Sequence, residues 1–199
     1  NRAAYTLYAS VFTAWISTPA YYTFLPLFMT DEIRTSKFLS SLAFSVTPFA
    51  EVPAMLYLGS LSDRIGRKKV IALCLAGYPV RYILTVSARN PWLIISAQLL
   101  HGLTFGGLYV VSVSYLSEVV DENLKGLALS FYAINLNIGR FIGNYLLGFL
   151  VDNYGYVPMY YVAAVISAFS ILILTLLSRQ NSQKKHAPYS TKKDETNSP

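Results

Sequence analysis

Four ionisable side chains interrupt otherwise apolar stretches of this chain: Glu51, Arg81, His101 and Arg140. A charge held among apolar neighbours is costly, about 2.5–3.5 kcal/mol at the centre of a membrane helix, so such groups face protein or water and find partners. Arg140 has Asn137 three residues before it and Asn144 four after, which places all three on one helical face. Gln98 and His101 are three apart with Phe105 four further on, and Ser10, Thr13, Ser17 and Tyr21 recur at three- and four-residue steps. Converging hydroxyls, amides and aromatic rings suit a polyhydroxylated solute, whose hydroxyls need donors and acceptors and whose ring face needs a flat partner. The same stripes would equally serve hydrogen bonding between helices. Glu51, with Thr47 four before and Met55 four after, is a protonatable carboxylate and so a natural coupling site. His101 can exchange protons near neutral pH, although a neutral imidazole satisfied by a neighbour is the more ordinary role.

Catalytic chemistry is not in view. The chain has no H-E-x-x-H, no G-x-S-x-G, no P-loop and no nucleophile with a credible base. Neither a cofactor nor a metal site is expected, and the single cysteine, Cys74, can form no internal disulfide. The net charge of +6 does not point to nucleic acid, because its distribution follows a membrane topology.

The elements that must position these groups are long. With 199 residues, 54% hydrophobic and only 13% charged, and a mean hydropathy of +0.42, the chain has too little charge to cover a soluble globule. Six apolar stretches, at about 7–29, 38–58, 69–88, 91–115, 124–150 and 156–178, each approach the roughly 20 residues that span a hydrocarbon core as helix. In lipid the backbone must satisfy itself, which helices of this length do and non-alternating strands do not. If both ends are cytoplasmic, eleven Lys and Arg residues face that side and three (Arg34, Lys37 and Arg89) the other. Tyr21, Tyr22, Trp92, Tyr154, Tyr156, Tyr160 and Tyr161 then fall near the outer ends as an interfacial belt. Gly102 with Gly106, and Gly139 with Gly143, give two helices a smooth packing seam. Prolines at 19, 26, 48, 53 and 79 should bend their helices. The chain starts at Asn, so a fragment or processed product is expected, and 179–199 reads as a polar, disordered cytoplasmic tail.

Between the second and third stretches lies Gly59-Ser60-Leu61-Ser62-Asp63-Arg64-Ile65-Gly66-Arg67-Lys68-Lys69-Val70-Ile71. It resembles the G-x-L-x-D-R-x-G-R-K-x-x-I signature of the major facilitator superfamily, in a short loop between apolar segments as that family places it. The segment 45–126, including Glu51-Val52-Pro53-Ala54-Met55-Leu56 and Gln98 through Gly106, further resembles the second half of sugar-efflux and oligosaccharide/proton transporters.

The resemblance implies an all-α membrane protein in which residues 1–178 form six transmembrane helices, one half of a twelve-helix fold, arranged as a 3+3 inverted repeat. It implies a multi-pass protein of the cell membrane, partnered by lipid, protons, a small solute and the other half or a second copy. The function implied is secondary active transport by alternating access, proton-coupled and directed at sugar. Multidrug efflux and a transport-inactive receptor or scaffold are the alternatives. The first, second, fourth and fifth helices of a half would line the cavity, which assigns Glu51, Gln98, His101, Asn137, Arg140, Asn144 and Tyr21 to the pathway. Arg81, on the third, becomes a structural pair or a snorkelling group. Gly59, Asp63, Arg64, Gly66, Arg67 and Lys68 form a latch: Asp63 would meet the start of the fifth helix near 123–126, and Arg64 and Arg67 would pair with Glu118, Asp121 or Glu122.

Overall fold

The structure, a computed structural model, describes residues 2–185, with side chains through 176. Every element among them is helical. The first rod, 2–32, is α1 (Arg2–Ser17), α2 (Pro19–Tyr22), α3 (Phe24–Leu27) and a π-helical turn at Phe28–Glu32. The second joins α4 (Lys37–Ser45) to α5 (Thr47–Ile65), and the third is α6 (Arg67–Ser87). The fourth runs from α7 (Pro91–Ala97) through a 3-10 turn at Gln98–Leu100 and a π stretch at Gly102–Gly107 into α8 (Leu108–Val119). Two 30-residue helices follow, α9 (Lys125–Tyr154) and α10 (Tyr156–Lys185). Thus α10 continues past the boundary read at 178, and the rest of the tail, 186–199, lies outside the described residues.

Two of the rod breaks share a cause. Proline cannot donate a backbone hydrogen bond to the carbonyl four residues back. At Thr18-Pro19 the Trp15 carbonyl, which Pro19 cannot meet, accepts from Thr18 Oγ1 at 2.8 Å and from the Thr18 backbone N–H at 3.2 Å, and at Thr47-Pro48 the Phe44 carbonyl accepts from Thr47 Oγ1 at 2.8 Å. The threonine hydroxyl supplies the donor that the proline lacks, so each bend is fixed and the chain stays internally bonded. Gly66, at φ +100°, makes the turn from α5 to α6 that a side chain would strain.

Among the described residues, four helical stretches are long and apolar enough to cross a membrane: Lys37–Ile65, Arg67–Ser87, Pro91–Val119 and Tyr156–Leu176. The other two rods, read as spans from sequence, are more polar. The first carries hydroxyls and tyrosines, and α9 carries four asparagines and Arg140.

Packing is tight where glycines meet backbone. A Cβ on Gly102 would strike the Ala50 carbonyl, and one on Gly106 would come within 2.8 Å of Glu51 Cγ. The fourth rod therefore lies directly on α5. Gly139 and Gly143 bring α9 equally close to Trp15 and Ile16 of α1. α10 covers α1 and α6, and the core includes Leu7, Val11, Trp15, Leu75, Tyr82 and Tyr160. Tyr21 and Tyr160 are thus buried and not part of an interfacial belt, whereas Trp92, Tyr154 and Tyr161 are exposed.

Candidate solute and proton pathway

The helices converge on Arg81. α6 turns this residue inward, and its side chain is 2% exposed. Nε and Nη2 both donate to Gln98 Oε1, at 3.0 and 2.6 Å. Nη1 reaches His101 Nδ1 at 3.1 Å and Thr104 Oγ1 at 3.3 Å, and the guanidinium carbon lies 3.9 Å from the Tyr21 ring centroid. Gln98 is held in turn by its own amide, which donates to the Ile94 carbonyl at 2.8 Å and to Thr85 Oγ1 at 3.4 Å. Arg81 therefore does not snorkel. The sequence reading set it aside because the third helix of the resembled fold lies outside the cavity, yet its own intramembrane charge was the signal that it needed several partners.

An arginine can only donate, so His101 Nδ1 accepts, and the imidazole is neutral with its proton on Nε2. That nitrogen faces Glu51, whose Oε2 is 3.8 Å away. The gap is longer than a hydrogen bond, and it joins a carboxylate on α5 to the Arg81 network through one ring. The ring is clasped by Phe105, stacked at 5.2 Å, and Tyr21 at 4.9 Å. The irregular turns at 98–107 are where the fourth rod carries Gln98, His101 and Thr104, in keeping with the tendency of π-helical turns to occur at functional positions. Tyr21, Glu51, Gln98 and His101 are thus brought together.

Arg140 sits on the other side of the same aromatic group. Its guanidinium carbon lies 4.2 Å from the Tyr22 ring centroid, 5.6 Å from Trp15 and 5.8 Å from Phe105. Asn144 binds the Arg140 carbonyl through its amide and accepts from Thr23 at 2.7 Å, while Asn137 is exposed and bonds only to its own helix at Ala133. Asn135, which the sequence reading passed over, instead ties α9 to the Tyr8 carbonyl at 3.3 Å. Ser10, Thr13 and Ser17 of the first rod bond back to carbonyls of α1, and Ser17 also meets Tyr82, so this stripe serves the helix and its packing.

At the loop, Arg67 gathers the motif. It pairs with Asp63, contacts Ser62 and the Gly59 carbonyl, and reaches across to Glu118 at 2.9 Å. Asp63 is held by Arg67 one turn away, in place of the expected contact near 123–126, because Gly66 turns α6 back so that Arg67 lies over the end of α5. Arg64 stays exposed, and Lys68 lies 5.9 Å from the Tyr115 ring.

Residues 7–197 match the family model described as Major Facilitator Superfamily. Multidrug resistance protein MdtG of Yersinia enterocolitica is 31% identical over 157 residues, covering 76% of this chain and 37% of that protein. Sugar efflux transporter C of Escherichia coli is 24% identical, covering 82% of this chain and 41% of its own length. Among solved structures, the in meso crystal structure of the POT family transporter PepTSo superposes with a TM-score of 0.69 at 16% identity, over 96% of this chain and 40% of that one. The chain spans about two fifths of the length of each of these proteins.

Proposed function

Since the chain belongs to the Major Facilitator Superfamily, we propose that it forms one half, six membrane-crossing helices in a 3+3 inverted repeat, of a transporter that moves a small solute by alternating access. Its two ends lie on the cytoplasmic side of the cell membrane, and a second six-helix unit completes it. The observation that carries the reading is the line Glu51, His101, Arg81, Gln98, which keeps titratable and charged groups in the apolar interior. A scaffold or receptor has no use for so costly an arrangement.

In this reading Glu51 is the proton carrier. While ionised it attracts the Nε2–H of His101, and His101 in turn helps to hold Arg81. A proton on Glu51 removes that attraction, so the imidazole and the rings of Tyr21 and Phe105 stacked on it lose one restraint, and α5 is freed relative to the fourth rod. The Arg67 group closes the cytoplasmic side in one state and releases it in the other, biasing the equilibrium without touching solute. The tyrosines, Trp15 and Phe105 offer flat partners that suit the ring of a sugar or of an amphipathic drug, and one relative is named for each class. Solute-driven proton flux into vesicles tests the reading: Glu51→Gln keeps size and hydrogen bonding but cannot titrate, so the flux should vanish while downhill exchange persists. Wild-type flux in that variant would end it.

A further inference from the structure

The charges inside the described helices do not cancel. Glu51 supplies one negative charge and Arg81 and Arg140 two positive ones, with His101 neutral; the remaining described carboxylates, at 31, 32, 63, 118, 121, 122 and 152, lie at rod ends or in loops. The two arginines are also satisfied very differently. Arg81 has acceptors on all three nitrogens. Arg140 has two nitrogens, Nε and Nη2, that are shielded from solvent and have no acceptor among the described residues. These two N–H groups form one edge of the guanidinium plane, the edge that meets both oxygens of a carboxylate in a bidentate pair. A third donor nearby, the Trp15 indole Nε1, is also buried without a partner among the described residues, and the Trp15 ring lies 5.6 Å from the Arg140 guanidinium carbon. Leaving such donors unmet costs about 1–3 kcal/mol each, so the group is built for an acceptor that arrives.

We propose that Arg140 is the subsite for the carboxylate of a monoanionic solute, whose apolar or aromatic body packs against Tyr22, Trp15 and Phe105. One negative charge is what the interior lacks, and the unmet edge has the geometry of a carboxylate. The inference rests on the transport reading and names its substrate class. Glu51 meets His101, which stacks on the same Phe105 ring that Arg140 approaches, so its negative charge opposes the incoming anion; neutralising Glu51 strengthens anion binding, which favours carrying proton and anion together.

The test uses the purified full-length transporter and its unfolding temperature, with benzoate and 3-phenylpropionate as probes and their neutral amides as controls. At least one acid should raise the unfolding temperature where its amide does not. The response should weaken about tenfold or more in Arg140→Lys, which keeps the charge but loses the fork, and disappear in Arg140→Gln. Glu51→Gln should bind the acid more tightly than wild type. Equal responses to acid and amide, a response that survives in Arg140→Gln, or no response to either acid would overturn the proposal. So would restoration of an unstable Arg140→Gln protein by neutralising a carboxylate in the rest of the transporter, because Arg140 would then have a fixed protein partner. Should Arg140→Gln fail to fold, the comparison of Arg140→Lys with wild type decides. Acid binding without proton flux would leave this subsite standing and sink the transport reading, whereas flux driven by a neutral solute and unchanged in Arg140→Lys would do the reverse.

Discussion

Arg67 and Arg81 each hold several acceptors, yet they do so with opposite chemistry. Arg67 stands at a water-facing turn against two carboxylates, those of Asp63 and Glu118, which are 60% and 54% exposed. Arg81 is 2% exposed and is met by an amide, an imidazole, a hydroxyl and a ring, all uncharged. Carboxylates at a surface can trade a guanidinium for water at little cost, so the Arg67 group is cheap to break, as the proposed alternating-access cycle requires. Neutral acceptors in the interior hold the guanidinium without cancelling its charge, so the Arg81 group is a fixed support that keeps a positive field beside Glu51 and His101. In the proposed cycle the contrast divides the molecule into a part that moves, around Arg67, and a part that holds, the Arg81–Gln98 contact.

The largest effect should follow from attacking the fixed part. Arg81→Leu strands Gln98 Oε1 and His101 Nδ1 in the interior, at about 1–3 kcal/mol for each acceptor left unpaired. The purified variant should unfold at a clearly lower temperature than wild type, and further below it than Arg67→Leu does. If the two variants melt alike, the division fails.

The two sites also differ in how far they could be read from the sequence. Gly59, Ser62, Asp63 and Arg67 lie within nine residues, so the loop signature marked them together and the Arg67–Glu118 pair was among those it offered, whereas Asp63 was sent to the start of the fifth helix and is held by Arg67 instead. The partners of Arg81 are 17 to 23 residues ahead on another rod, with Tyr21 on a third, and no local period links them. The inward turn of α6 was hidden for the same reason: a buried face is decided by what packs on it, here α8, α10 and the turns at 98–107. Glycine spacing marked two smooth faces, but which neighbours fill them, Ala50 and Glu51 of α5 and Trp15 and Ile16 of α1, is set by packing that no local period names. The bends expected at Pro19 and Pro48 fall at the rod breaks, while Pro53 and Pro79 lie inside unbroken helices, and the threonine hydroxyls that bond across the two breaks were not foreseen.

A smaller effect tests the part that moves. Glu118→Gln or Asp63→Asn removes one exposed partner of Arg67, a loss of about 0.2–1 kcal/mol in stability for pairs of this kind. Turnover of the complete transporter should fall while solute affinity and unfolding temperature stay near wild type, if as proposed the latch sets a conformational equilibrium and does not touch ligand. Unchanged turnover at normal expression would mean that the Arg67 group is topology-setting charge alone.

The smallest perturbation asks on which side the moving part works. Arg64 is exposed beside the latch, outside the Arg67 group, and Asn153 is exposed at the far end of α9, where its amide bonds only to the Phe149 carbonyl of its own helix. A cysteine at either position breaks no contact between rods, and Cys74 is buried and does not compete for reagent. Replacing Arg64 still leaves ten of the eleven basic residues on one side against three on the other, so the orientation bias persists. In intact cells making the full-length protein, an impermeant thiol reagent should label Asn153→Cys, and should label Arg64→Cys only after the membrane is opened. The reverse pattern would put the Arg67 latch outside the cell, and the gate it closes would then be the outward one.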